Sequence, residues 1–423
     1  MKVLVVSNLY PPEFLGGYEL ACSQMVDALT GLGHDVRVVT SVSAHAHDRK
    51  EESVERTLEL PPIYSPSRMT AASEHLRQYF QLLACDVNPT NVRALGEAIE
   101  EFDPDVAYLW NILGLGGLGV LALLQHAGVP WVWHIEDLIP RQLCTFGATG
   151  AQLARELGNV FPGRYIMCSS HVLGEIRAGG VEMGDHVQVI PNWVVGERPP
   201  PREQFFRGGE LRILNASGTL SEEKGAPILV EAAAELRRGG SANFTIDLYG
   251  RDPDPRLRTL LHQHEVTDIV RRMGPRTHDE LLALYPRYDV FAFPTWAREP
   301  FGFVALEAAA AGCLPVISHE CGIAEWLIDG VDCLKAPRSA TGFAEILAKV
   351  VRGEVDLPAM ARRAQEVVWR EFHISRVAAK VEQTLSEAAS ERRPAYGGTG
   401  EFFKLASFAE GLIQTLLQEA QVA

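Results

Sequence analysis

Apolar positions along the chain fall into two alternating rhythms. Short, nearly continuous apolar runs rich in β-branched and aromatic residues occur at Lys2–Ser7, Asp35–Thr40, Val106–Leu109, Trp131–Ile135, Tyr165–Cys168 and Val187–Ile190. Between them lie stretches with helical spacing. In Gly17–Leu32 the residues Leu20, Val26, Leu29 and Leu32 share an inner face, and Leu118–His126 forms another helix. Continuous apolar strands separated by helices predict a parallel sheet covered on both faces.

The pattern then restarts. Glu197–Glu203 (ERPPPRE) is polar, proline-rich and without periodicity, and predicts a stiff linker. Beyond it the strands Leu211–Ala216, Phe244–Tyr249, Val290–Phe293 and Leu314–Ser318 alternate with helices at Ala226–Arg238, His278–Tyr285 and Phe303–Ala311. Two α/β units in tandem are therefore expected: residues 1–195, a linker over 196–209, and residues 210–375. Past Pro358 the chain is helical in pattern to about Ser390, and residues 376–423 are expected to rejoin the first domain. An amphipathic last helix, Glu401–Ala420, follows the break at Pro394 and Gly397-Gly398.

Composition narrows the class. With 423 residues, 47% hydrophobic and 22% charged, the chain fits a soluble two-domain protein and excludes wholesale disorder. A net charge of −15 argues against nucleic-acid binding, yet leaves room for a local basic site holding one small phosphorylated ligand. Val106–Ile135 contains no Asp, Glu, Lys or Arg, but Asn111, its glycines and Pro130 break it into strand, loop, helix and strand. Seven cysteines, an odd number with no CxxC pair, suggest reduced thiols in a cytoplasmic protein. The opening MKVLVVSNLYPPE reads as a buried strand and not as a secretory leader. Asp103-Pro-Asp105 and Asp252-Pro-Asp254 read as turns beside strands, and His45/His47 and His262/His264 lack a nearby Cys or a clear third ligand, so no metal site is expected.

In open α/β sheets ligands bind beyond the carboxyl ends of strands, so loops that follow strands are the candidate sites. Two such domains can face each other across a cleft. After the first strand, Gly16-Gly17 at a helix start suits a close-approaching anion or a tight turn, with Glu19 beside it. His134-Ile-Glu136-Asp137 ends the fourth apolar strand of this half, where proton handling, hydroxyl recognition or a solvated turn are all compatible. Gly218–Gly225 brings Lys224, which can reach a phosphate. Arg298–Glu307 is the most informative stretch: Glu299 lies in a loop, while Glu307 interrupts an apolar helix. Burying Glu307 unpaired would cost several kcal/mol, so a partner is required, either a ligand hydroxyl pair or an internal ion pair.

Together these residues resemble glycosyltransferase family four (group 1), retaining nucleotide-sugar enzymes of the GT-B fold. Glu299-Pro-Phe-Gly-Phe-Val-Ala-Leu-Glu307 is similar to the family's E-x7-E signature. Ala311-Gly312, Pro315-Val316-Ile317, Gly322–Glu325, Gly16–Glu19, Gly33–Val36, Pro191-Asn192 and Lys224-Gly225 occur in the family's order. The resemblance implies two Rossmann-like, doubly wound parallel-sheet domains facing across a cleft, with C-terminal helices. It also implies retaining transfer from a nucleoside diphosphate sugar, UDP-sugar before GDP-mannose, to a glycan, lipid-linked or small-molecule hydroxyl. No cofactor or metal is implied. By this resemblance Gly17, Lys224, Arg251, Phe301, Gly302, Phe303, Val304 and Glu307 hold the donor. Glu299 and His134 are catalytic, and Glu19 and Asp137 serve the acceptor. Thr219 stands where the family usually has arginine, so Arg251 or Arg298 would supply that charge. A sugar-nucleotide epimerase of the same fold and a degenerate donor-binding scaffold are the alternatives. A monomer or homodimer is expected, cytoplasmic, with peripheral contact at the inner membrane face left open.

Overall fold

The computed structural model of the chain describes residues 1–42, 53–60, 82–146, 151–241, 243–252 and 255–392. They form two compact units. The first comprises Met1–Cys168, Val172–Ile190 and the chain from Ala378; the second comprises Ser169–His171 and Pro191–Val377.

The first unit is built on β1 (Lys2–Val6), β2 (Asp35–Ser41), β3 (Val54–Leu58), β4 (Val106–Leu109), β5 (Trp131–Ile135), β6 (Arg164–Met167) and β7 (Val187–Val189). Their order is β3-β2-β1-β4-β5-β6-β7, with every pairing parallel. The central strands are buried on both faces, which is why Val3–Val6, Val106–Leu109 and Trp131–Ile135 are apolar without alternation. The uncharged stretch from Val106 resolves into β4, the helix Gly117–His126 and β5. Among the described residues no helix is long and apolar enough to cross a membrane.

The last described helix, Ile374–Ala389, reaches back to this first sheet. Thr384 donates to Gln188 next to β7 residue Val187 (2.8 Å), His34 meets Glu382 at 2.9 Å, and Arg164 of β6 pairs with Glu387 at 2.9 Å. The expected helix Glu401–Ala420 lies outside the described residues, as does the His45/His47 pair.

The second unit repeats the plan with β8 (Leu211–Thr219), β9 (Phe244–Arg251), β10 (Val270–Arg272), β11 (Val290–Phe293), β12 (Leu314–Ser318) and β13 (Leu334–Ala336). The order is β10-β9-β8-β11-β12-β13, again all parallel. Two doubly wound parallel sheets of the GT-B class are therefore present, as the sequence implied. In each, the winding reverses between the first and fourth strands: β1 and β4, then β8 and β11. Loops leaving those strands diverge and open a crevice at the switch point.

The segment expected to be a stiff linker, 196–209, clusters with the second unit. It is held there by Arg202. The Arg202 guanidinium is buried against Asp289 (2.6 Å), donates to the Tyr288 carbonyl and lies 4.6 Å over the Phe205 ring. A buried charge needs such a partner, and Asp289 comes from a distant stretch of sequence. All seven cysteines are free.

Candidate active site

The second unit concentrates most of the expected site residues at its switch point. β8 runs into the turn Gly218–Gly225, and β11 into the loop that carries Glu299. Gly225 caps the helix Ala226–Arg238 at φ +76°, and a Cβ there would overlap the Pro294 carbonyl oxygen. Only glycine allows these two loops to approach so closely. Trp296 then donates its amide to the Glu223 carbonyl (2.8 Å), and Arg338 bridges the Pro294 and Glu222 carbonyls. The two loops are tied before any ligand arrives.

Lys224 is the result of that tie. Its ammonium lies 2.5 Å from Glu299 Oε2, which also accepts from the Thr295 hydroxyl at 3.0 Å. The Glu299 side chain is 11% exposed and that of Lys224 is 32% exposed. The lysine expected at the phosphate and the glutamate expected at the sugar are thus direct partners.

The helix Phe303–Ala310 starts beside them. Gly302 precedes it at φ +112°, and no side chain caps its first turn. Uncapped amides of Phe303 and Val304 at a helix start suit an anionic oxygen. Phe301 is buried, whereas Phe303 and Val304 are half-buried. Glu307 sits one turn along the same helix, and its required partner is internal: His278 Nε2 lies 2.7 Å from Oε1, and the Tyr285 hydroxyl donates to Oε2 at 3.3 Å. The Glu307 side chain retains 13% exposure.

The hydrogen bond to Glu307 raises the pKa of His278 against the opposing effect of burial, with the charges of Glu307 and Asp279 adding to the rise. A folded-state pKa above the unfolded value gives a stabilisation fully present below the unfolded pKa of 6.5. It is lost as pH rises through the folded value. Thermal denaturation of wild type against His278→Gln should therefore show a gap that is widest below pH 6.5 and narrows as pH rises above it. A gap that widens with pH would contradict this.

Thr219 and Arg251 occupy opposite positions of the β8–β9 ladder, and Arg251 Nε lies 3.5 Å from the Gly218 carbonyl. Arg298, by contrast, is exposed and lies 5.6 Å over the Trp296 ring.

The first unit holds Gly17, Glu19, His134 and Asp137. Gly17 opens the helix Gly17–Gly31. Glu19 is buried, and its Oε2 accepts from the amides of Leu15 (3.2 Å) and Gly16 (3.1 Å). Those two contacts close the loop after β1. His134 is enclosed at the end of β5. Its side chain has no exposed surface: Nδ1 meets the Tyr108 hydroxyl at 2.6 Å, the ring stacks on Trp110 with centroids 4.4 Å apart, and Nε2 lies 3.1 Å from Glu136 Oε1. Tyr108, Trp110 and Glu136 thus enclose the ring. Asp137 is exposed beyond the end of β5, its Oδ1 accepting from the Leu138 amide at 2.6 Å.

Sequence reasoning missed Thr295, His278, Tyr285 and Arg338. A threonine, a histidine or an arginine outside a recognised spacing gives no signal until the fold brings its partner alongside. Among the described residues no group of three or more His, Cys, Asp or Glu side chains could hold a metal ion.

Comparisons with known proteins agree with this organisation. The family model described as "Glycosyl transferase 4-like domain" matches residues 16–193, and "Glycosyl transferases group 1" matches residues 212–352. Glycogen synthase of Mycobacterium tuberculosis (strain CDC 1551 / Oshkosh) is 30% identical over 418 residues, covering 93% of this chain and 97% of that one. Among solved structures, Anabaena HepE in complex with UDP and glucose superposes with a TM-score of 0.67 at 19% identity, covering 92% of this chain and 100% of the other. Sucrose-phosphate synthase from Thermosynechococcus elongatus gives a TM-score of 0.70 at 18% identity, covering 91% and 98%. At these identities the two solved structures speak to the fold, while the glycogen synthase match spans nearly the whole of both chains. With its E-x7-E stretch at the switch point of the second sheet, this chain belongs to the group 1 glycosyltransferases.

Proposed function

We propose that this enzyme moves a sugar with retention from a nucleoside diphosphate sugar, a UDP-sugar before GDP-mannose, to a hydroxyl of a glycan, lipid-linked or small-molecule acceptor. The observation that carries this reading is the Lys224–Glu299 contact at the β8/β11 switch point, beside an uncapped helix start. Lys224 and the amides of Gly302, Phe303 and Val304 would take the diphosphate, and Glu307 the ribose hydroxyls. Glu299 would face the transferred sugar. The bond from the anomeric carbon to phosphate breaks with its electron pair on the phosphate oxygen, which the lysine and amides stabilise. The acceptor oxygen bonds to the same carbon, and its proton passes to the departing phosphate. No enzyme nucleophile is needed, and no resident metal is part of the proposal.

The glycogen synthase relative favours a glycan among the acceptors, and HepE bound to UDP favours uridine. On the first unit, Asp137 is the exposed carboxylate left for an acceptor hydroxyl, while His134 would act by supporting Glu136. The experiment is incubation with UDP-glucose, ADP-glucose or GDP-mannose and an α-glucan primer, in EDTA, reading nucleotide release and the anomer formed. Primer-dependent release with retained configuration is expected. An inverted product, or release only with added metal, would contradict the reading.

Arg251, across the ladder from Thr219, is the arginine we assign to the diphosphate. Arg251→Ala is expected to weaken nucleotide binding about 5–20-fold, and Arg298→Ala less than about twofold. Titration of both variants checks this, and the reverse ranking would move the role to Arg298.

A further inference from the structure

One short segment holds Glu307 by both oxygens. Thr277 caps the helix His278–Leu284, accepting from the Glu280 amide at 3.3 Å, while Glu280 Oε2 accepts from the Thr277 amide at 2.8 Å. This box fixes the backbone at His278, whose Nε2 lies 2.7 Å from Glu307 Oε1. Directly after the helix, Tyr285 donates to Oε2. Tyr285 is itself immobilised: it is fully buried, packs edge-on to Phe291 with centroids 6.0 Å apart, and accepts from the Cys313 thiol at its carbonyl. A carboxylate offers about four lone-pair sites, so two are occupied and two are left. Glu307 keeps a small exposed window and is therefore reachable.

We propose that His278 is a positioning residue for donor recognition: it grips one oxygen of Glu307 while Tyr285 takes the other, turning the remaining lone pairs towards the vicinal diol of a ribonucleoside diphosphate. His278 thereby sets the preference for ribose over 2′-deoxyribose. This rests on the donor-site reading given above. A tie between two helices with no bearing on ligand would leave that preference untouched.

The charged groups acting on His278 among the described residues are Glu307, from the helix Phe303–Ala310, and Asp279, from its own helix. Both favour the imidazolium, so the grip on Glu307 tightens as pH falls.

The test is calorimetric titration with UDP, GDP and ADP, each beside its 2′-deoxy counterpart, on wild type, H278A, H278Q and E307A. Taking the ribose-to-deoxyribose ratio cancels the titration of the phosphates, which both ligands share. Wild type should prefer the ribonucleotide by about tenfold or more, as expected for a hydrogen bond to a charged group. H278A should bring the ratio to within about threefold of unity, as E307A does. H278Q keeps an N–H donor but cannot charge, so it should hold much of the preference at pH 8 and lack the rise wild type shows towards pH 6. A folded H278A with the wild-type ratio overturns the inference, as do superimposable pH profiles of wild type and H278Q. The H278Q profile decides the matter if H278A does not fold. Wild type that binds none of these nucleotides overturns the donor-site reading and this inference with it. Binding with an unchanged ratio in H278A overturns this inference alone.

Discussion

Replacing Lys224 by methionine is expected to lower transfer by about 10²–10³-fold while leaving the protein folded. Methionine keeps most of the length of the side chain and removes its charge and its N–H donors. In the free enzyme that charge rests on Glu299 at 2.5 Å. The partly exposed ammonium can swing to an incoming diphosphate, where negative charge grows as the sugar departs. Loss of a preorganised cation at the leaving group costs turnover more than folding, because the ammonium keeps about a third of its surface in solvent, which screens the pair, and Glu299 retains the Thr295 hydroxyl. Steady-state kinetics with thermal denaturation alongside checks both halves. A variant with near-normal turnover would move the leaving-group cation elsewhere; one that unfolds would make Lys224 structural.

The second large effect concerns stability. Asp289 is buried and accepts from Arg202 Nη2 at 2.6 Å, the Arg212 amide at 3.0 Å and the Phe206 amide at 3.3 Å. Burial pulls the pKa of Arg202 down, and the charge of Asp289 resists that pull. Asp289→Ala strands a buried guanidinium, and the expected loss is about 3–5 kcal/mol. For domains of this size each kcal/mol lowers the melting temperature by roughly 2–4 °C. The double variant Arg202→Met/Asp289→Leu, which removes both charges and refills the volume, should lose less than Asp289→Ala alone. A loss under about 1 kcal/mol for Asp289→Ala would show that water reaches the pair.

These two residues also mark where the sequence was legible. The central strands of both sheets could be read because burial on two faces demands continuous apolar runs, as in Val3–Val6 and Val290–Phe293. The outer strands β3, β10 and β13 could not: Val270-Arg-Arg has one apolar residue, and pairing with β9 alone makes it a strand. Lys224, Glu299 and Glu307 were found because chemistry fixes their spacing along loops that leave the switch-point strands. Arg202 read as linker polarity, since its partner lies 87 residues away. His134 was given a catalytic role by the family resemblance, and its place at a strand end left a solvated turn open. Its burial depends on Tyr108 and Trp110, which only the pairing of β4 with β5 brings beside it. His278 carried no signal at all, being one histidine at the start of a helix whose target is on another.

The central claim is that the carboxyl edge of the second sheet takes a nucleoside diphosphate through Glu307. The most direct measurement is thermal shift of wild type and Glu307→Ala with UDP, GDP, ADP and TDP, without added metal. A ligand at a hundred times its dissociation constant adds about 2.7 kcal/mol, which moves the melting temperature by roughly 5–10 °C. At least one nucleotide is expected to stabilise wild type by that amount and Glu307→Ala, binding about tenfold more weakly, by about half of it. No shift with any of the four, or equal shifts in both proteins, would contradict the assignment.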